Sequence, residues 1–292
     1  MTDYMITAGI NIIAVANQKG GVGKTTTTVT LAGLLAQQGY HTLMVDLDPH
    51  GSLTSYFNFD PETIKDSVYN LYQQAVNKTP LVIDKIIQAT GFERLSLFPA
   101  STALATLEKQ LGGRSGMGLV LAQALKQLDK TYQYVLIDCP PMLGMLMINA
   151  LAACDQLVIP VQTEFLAIKG LQRMLRTLKM IEHSLHTPVS YHVLPTLYDQ
   201  RTRASKECLQ TLREDYKTHI SRAVIPVDTK FRDASYVGKP LSMMAANTHG
   251  VLAYSQFLEE IGAGDIKHSD NATVQQQVNK QINNSADYQQ AM

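Results

Sequence analysis

Short apolar runs alternate along this chain with longer stretches in which apolar residues return every three or four positions. The runs Ile12–Ala16, His41–Asp46, Leu95–Pro99, Tyr134–Asp138, Gln156–Val161, Val189–Pro195 and Ala223–Ile225 suit buried strands. Helical spacing covers Thr26–Gln38, Ser101–Leu111, Gly118–Leu128, Glu164–Ile181, Ala204–Tyr216 and His249–Ile261, and the first of these stops at Gly39, as a helix with a C′ glycine does. This alternation predicts an α/β fold: a mostly parallel sheet covered by helices on both faces, with ligands at the carboxyl ends of the strands. Residues 60–92 read as a helical elaboration on that sheet. One domain is expected over residues 1–262, followed by a polar tail, 263–292, rich in Gln, Asn and Ser and read as flexible or weakly helical.

Composition narrows the function classes. With 292 residues the chain is long enough to bury a sizeable core, and 25 basic against 25 acidic residues leave no global field, so any nucleic-acid binding must use a local patch. Cys139, Cys154 and Cys208 are far apart and odd in number, which argues against a disulfide framework or a paired-cysteine metal site. No apolar run approaches the length of a membrane span, and the first residues lack a basic-then-apolar leader pattern. A cytoplasmic protein is expected.

Chemistry concentrates after the first predicted strand, at Lys19-Gly20-Gly21-Val22-Gly23-Lys24-Thr25-Thr26. A strand, a glycine loop and a helix N-terminus collect phosphate, because unpaired N–H groups and the helix dipole point at one spot. Gly23-Lys24-Thr25 completes a P-loop pattern, in which the lysine reaches the β/γ-phosphates and the hydroxyl holds Mg²⁺. The opening glycine of that pattern is replaced by Gln18, and a second lysine stands at Lys19. Asp46 and Asp48 follow the second strand, two positions apart and on one side if extended. Paired carboxylates beside a phosphate site can hold Mg²⁺ through water and orient an attacking water. Asp138 ends the apolar run Val135-Leu136-Ile137 as a Walker B aspartate does.

Taken together, residues 19–26, Asp46-Leu47-Asp48-Pro49 and Leu136-Ile137-Asp138-Cys139-Pro140-Pro141 resemble the deviant Walker A, switch and Walker B motifs of the ParA/MinD family of positioning ATPases. Ile159-Pro160-Val161-Gln162-Thr163-Glu164-Phe165, Leu194-Pro195-Thr196-Leu197-Tyr198-Asp199 and Ile225-Pro226 are similar to its ParA (Soj) branch, and the likeness spans about residues 10–262. The resemblance implies a weak Mg²⁺-dependent ATPase using ATP, with Lys24 and Thr25 serving the nucleotide and metal. It implies that Lys19 crosses a homodimer interface to the partner's phosphates, that Asp48 positions the attacking water, that Asp46 and Asp138 support the metal, and that Pro226 lies against adenine. A cation supplied in trans acts as an arginine finger does and couples ATP binding to dimerisation.

His50 departs from the glutamine that DNA-segregating members generally carry after Asp-x-Asp-Pro. The string His50-Gly51-Ser52-Leu53-Thr54-Ser55-Tyr56-Phe57 resembles the ParA-like ATPases encoded with chemotaxis proteins, which place chemoreceptor arrays. His50 is read either as a neutral hydrogen-bonding replacement for the amide or as a pH-sensitive group. Residues 167–240 hold thirteen Lys/Arg against seven Asp/Glu, and Arg201 and Lys230 fall at positions resembling those by which ParA-type dimers bind DNA non-specifically. The expected partners are a second copy, DNA, and a ParB-like or chemotaxis-array protein that stimulates hydrolysis. The tail shows no basic amphipathic helix, so no membrane contact is expected. Met142, Met145 and Met147 fit either core filling or an adaptable interface. Two rivals stand beside this reading: a DNA-independent adaptor for chemotaxis arrays, and a P-loop kinase or synthetase acting on a small molecule.

Overall fold

In the computed structural model the described residues are 9–111, 116–185 and 188–264, so all but the first two residues of the expected polar tail lie outside them. Seven strands form one sheet in the order β3-β4-β2-β5-β1-β6-β7. They are β1 (Asn11–Val15), β2 (His41–Asp46), β3 (Gln88–Ala89), β4 (Leu95–Phe98), β5 (Tyr132–Asp138), β6 (Gln156–Gln162) and β7 (Ser190–Thr196). Every neighbouring pair is parallel except the edge pair β3 and β4. The expected mostly parallel sheet is therefore present, and its short antiparallel edge strand was not foreseen.

Alternate residues of each strand face opposite layers, as the two-residue strand period requires. Ala14, Leu43, Val45, Val135, Ile137, Leu157 and Ile159 pack with α3 (Val68–Val76), α4 (Leu104–Leu111), α5 (Val120–Leu125), α6 (Met145–Ala153), α7 (Phe165–Leu185) and α8 (Arg203–Asp215). Ile13, Val15, Met44, Leu136, Val158 and Leu194 pack on the other face with α1 (Lys24–Gln37), α2 (Ser52–Tyr56), α9 (Lys230–Val237), α10 (Leu241–Met244) and α11 (His249–Glu260). Because both faces are covered, the central strands read as continuous apolar runs. Each fully buried leucine, such as Leu31 or Leu35 of α1, stabilises the fold by roughly 1.5–3 kcal/mol. Gly33 permits the closest of these contacts: a Cβ there would lie 2.5 Å from Ser242 Oγ and 2.8 Å from Pro240 Cβ.

Several elements differ from expectation for local reasons. Residues 223–225 are not a strand; their stretch makes only isolated bridges to β7 and its exit, Val193 with Ile220 and Tyr198 with Pro226, and Pro226 has no N–H with which to extend a ladder. The helix expected over 118–128 is a 3₁₀ turn, Met117–Leu119, followed by the six-residue α5. Residues 60–92 hold a single helix, α3, among turns, together with β3. Of the three methionines after β5, Met145 and Met147 are buried core residues, whereas Met142 is 75% exposed.

The strand order positions the functional site. From β1 the chain crosses through α1 toward β2 on one side, while β6 flanks β1 on the other. The carboxyl end of β1 is thus a point where the winding direction reverses, the place where sheets of this kind bind ligands.

Candidate nucleotide-binding site

The glycine loop lies at that point, between β1 and α1. Gly21 and Gly23 have φ of +72° and +90°, a region open to glycine and strained for other residues, and a Cβ at Gly20, Gly21 or Gly23 would meet no atom within 4 Å. The loop is therefore an open concave backbone whose shape comes from its glycines. Gly23 is also the N-cap of α1, with no side-chain cap, so the first N–H groups of the helix remain available to an anion.

Side chains from distant strands anchor the loop. Asn17 donates its amide to Pro160 O of β6 at 2.7 Å and accepts from Lys19 N at 3.0 Å. Gln18, at the position where the P-loop pattern has glycine, donates to Thr177 Oγ1 of α7 at 2.9 Å, so the departure from that pattern ties the loop to a helix. Thr196 at the end of β7 donates to Val22 O at 2.9 Å. Just beyond it, Leu197 takes a left-handed φ of +52°, and Tyr198 N bonds Ile225 O at 3.0 Å. Pro226 is thereby placed beside the exit of β7, on the same strip that holds the loop through Thr196.

The carboxylates converge below the loop. Asp46 and Asp138 are register partners at the ends of β2 and β5, and both are fully buried. Burial pushes the carboxyl of each well above the ordinary range, and their mutual repulsion raises Asp138 further. Thr25 Oγ1 donates to Asp138 Oδ2 at 2.6 Å, and Lys24, itself buried, opposes the upward shift of Asp138. Asp138 Oδ1 is buried without a hydrogen-bond partner. An orphaned buried carboxylate oxygen beside a threonine hydroxyl is an oxygen donor set suited to a hard divalent cation or its water shell.

Asp46 is more committed. Its Oδ2 accepts from Thr54 N at 2.8 Å and Thr54 Oγ1 at 2.7 Å, and its Oδ1 accepts from Asp48 N at 3.1 Å. Thr54 Oγ1 in turn accepts from Ala100 N at 2.8 Å, so Asp46 holds the loop after β2 and, through Thr54, the end of β4. Asp48 stands in that loop, 14% exposed at its side chain, with Oδ1 bonded by His50. The structure thus brings Lys24, Thr25, Asp46, Asp48 and Asp138 together in one cluster.

Lys19 is held differently. Its ammonium donates to Gln162 Oε1 at 3.2 Å and pairs closely with the Glu164 carboxylate, both just beyond the buried part of β6. The lysine is 30% exposed, and the next residues, Phe165 and Leu166, are 71% and 68% exposed. Arg201 is committed to a bidentate pair with Asp199, at 2.8 and 2.9 Å, which pulls the Asp199 carboxyl down to about 2. Lys230 opens α9 on the surface, its backbone N bonded to Asp228. Among the described residues no group of three or more His, Cys, Asp and Glu side chains is spaced to hold a metal alone, and no helix is long and apolar enough to cross a membrane.

Asn17, Thr54 and the anchoring roles of Gln162 and Glu164 were not singled out from the chain. The loop's contacts with β6 and the residues just beyond it span up to 145 residues, whereas Thr54 bonds Asp46 from eight residues away and Asn17 also accepts from Lys19 N, two residues on.

Comparison with known proteins accords with this arrangement. A sequence model of the family described as AAA domain matches residues 10–191. The sporulation initiation inhibitor protein Soj of Bacillus subtilis (strain 168) is 37% identical over 253 residues, 86% of this chain and 98% of Soj. The chromosome partitioning protein ParA of Myxococcus xanthus (strain DK1622) is 31% identical over 259 residues, 88% of this chain and 90% of ParA. A crystal structure of cobyrinic acid a,c-diamide synthase from Mycobacterium smegmatis with bound ATP analogue and magnesium superposes with a TM-score of 0.73 at 33% identity, covering 87% of this chain and 94% of that one. The matched domain, the near full-length likeness to Soj and ParA and the two-lysine loop above its aspartates have one reading: the chain belongs to the AAA-domain family and, within it, to the P-loop ATPases of ParA/MinD type, on the Soj/ParA branch.

Proposed function

We propose that this protein is a weak, Mg²⁺-dependent ATPase that forms an ATP-bound sandwich dimer and uses the ATP cycle to position or segregate a cellular cargo. The observation that carries this reading is the contrast within one loop: Lys24 is buried against the carboxylate cluster, while Lys19 reaches out of it to the exposed end of β6. Magnesium, when bound, neutralises charge on the phosphates and the transferred group. Thr25 and the orphaned Asp138 oxygen would hold the metal or its water, with Asp46 keeping the loop in register. Lys24 and the N–H groups of the glycine loop bind and orient the phosphates. Asp48 orients the attacking water, and Lys19 completes the partner's site as a cation supplied in trans.

The cargo reading rests on resemblance. The His50-to-Phe57 string favours a chemoreceptor array, and the Soj and ParA relatives favour a chromosome or plasmid. The ATP dimer would bind DNA non-specifically through the basic surface of residues 167–240, including Arg201 and Lys230, and a ParB-like or array-associated partner would stimulate hydrolysis and release it. The name of the cobyrinic acid a,c-diamide synthase keeps one rival in view, a synthetase passing phosphate to a small acceptor. Two variants test the reading by light scattering coupled to gel filtration and by phosphate release. Lys19→Ala is expected to lose both the ATP-dependent dimer and stimulated hydrolysis, and Asp48→Ala to form a dimer that persists. Wild-type turnover by Asp48→Ala would contradict its role, and phosphate appearing on a metabolite instead of in water would favour the rival.

A further inference from the structure

His50 directly follows Asp46-Leu47-Asp48-Pro49, and the loop geometry gives it a task. The segment after β2 folds back on itself: Gly51 N bonds Asp48 O at 2.8 Å, and Gly51 takes φ +63° with its open side against Pro61, where any Cβ would collide. This turn lays the imidazole over the residue two positions earlier. His50 N donates to Asp48 Oδ1 at 3.0 Å, and His50 Nδ1 lies 2.8 Å from the same oxygen. From behind, Asp48 N is tied to Asp46 Oδ1 at 3.1 Å.

The two carboxylate oxygens of Asp48 are therefore unequal. Oδ1 is engaged twice by His50, whereas Oδ2 accepts no hydrogen bond from the described residues. Since a carboxylate is an acceptor only, an imidazole nitrogen facing it must carry a proton, so the contact selects the Nδ1–H form and turns Nε2 outward. The ring itself is 80% exposed, so its contribution here is a directed donor and not packing.

We propose that His50 is a positioning residue for the hydrolytic reaction: its Nδ1–H fixes the rotamer of Asp48 so that Oδ2 is presented to the attacking water. The inference rests on the assignment of Asp48 to that water. An asparagine at this position can place an amide donor at the same distance from Cα as Nδ1, whereas alanine leaves only the backbone N–H. Orienting a water through one well-placed hydrogen bond is worth a factor of about 5 to 20 in rate.

The test has a spectroscopic and a kinetic arm. In ¹⁵N-labelled full-length protein, long-range ¹⁵N–¹H correlation is expected to find His50 protonated at Nδ1, and to find that preference lost in Asp48→Ala. In steady-state ATP hydrolysis, His50→Ala is expected to lower kcat about 5- to 20-fold, with KM for ATP and ATP-dependent dimerisation unchanged, and His50→Asn to recover kcat to within about twofold. A His50 protonated only at Nε2, an unchanged kcat in His50→Ala, or an asparagine variant no better than alanine would each overturn the proposal. Wild-type hydrolysis by Asp48→Ala would instead sink the assignment of Asp48, and the tautomer measurement would still report whether the contact exists.

Discussion

Lys24 and Lys19 stand five residues apart in one loop and are held in opposite ways. Lys24 opens α1 with its side chain buried beside Thr25 and Asp138, in a place where a lone cation would be costly without the carboxylates around it. Lys19 is pinned by a partly exposed pair, Glu164 and Gln162, at the rim of the sheet. A buried cation built into the carboxylate cluster is fixed to its own subunit's site. A cation held by a surface ion pair worth about 0.2–1 kcal/mol is free to exchange that pair for a stronger anion. This contrast supports the proposal that the two lysines have separable duties, one within the subunit and one across a dimer.

The comparison can be broken most sharply at Lys24. Lys24→Ala is expected to abolish nucleotide binding and hydrolysis together, read by titration of a fluorescent ATP analogue. A variant that binds ATP normally would remove the distinction between the two lysines. The next largest effect belongs to Asp138→Asn, which keeps the acceptor for Thr25 and removes the buried charge. It should lose hydrolysis yet be more stable to unfolding than the wild type in metal-free buffer at pH 8, read as a higher melting temperature. The sign follows from linkage. Burial raises the folded-state carboxyl of Asp138 above its ordinary 3.8, so its proton stabilises the fold below that value and the stabilisation fades as pH climbs through the raised one. Metal-free wild-type protein should therefore lose thermal stability between pH 4 and 8 more steeply than Asp138→Asn, and parallel curves would contradict the shift.

Smaller effects sharpen the Lys19 side. Glu164→Gln removes the charge that holds Lys19 and is expected to tighten the ATP-dependent dimer a few-fold in sedimentation equilibrium; a weaker dimer would show that Glu164 supports the interface instead. On the basic surface, Lys230→Glu should weaken low-salt DNA binding more than Arg201→Glu, because Arg201 is already paired with Asp199. Absence of wild-type DNA binding with ATP would remove that surface from the function.

Much of this architecture was legible because the central strands are apolar on both sides and their helices carry a clear stripe. α6 escaped because Met145–Ala153 is apolar almost all round and so shows no periodicity. α9 and α10 escaped because they are short and break at Gly238 and Pro240. At the site, Lys19, Lys24, Thr25 and the three aspartates could be named in advance because each sits at a fixed offset from a strand end or a glycine. The contacts that decide their behaviour could not. Lys19 on Glu164, Gln18 on Thr177 and Thr196 on Val22 join positions more than 140 residues apart, which only the folded sheet brings together. His50 lay between these cases: its departure was visible, and its contact with Asp48 required the turn at Gly51.

Mixing two inactive variants asks directly whether Lys19 serves its neighbour. On the proposed roles, Lys19→Ala keeps Lys24 and Asp48 but has no cation to lend, and Asp48→Ala keeps Lys19 but lacks the carboxylate assigned to the attacking water. If Lys19 acts in trans, a mixed dimer holds one complete site, with Lys24 and Asp48 from the first subunit and Lys19 from the second, and combining the two proteins with ATP restores phosphate release. If Lys19 acts within its own subunit, no site in the mixture is complete, and the mixture stays as inactive as its parts.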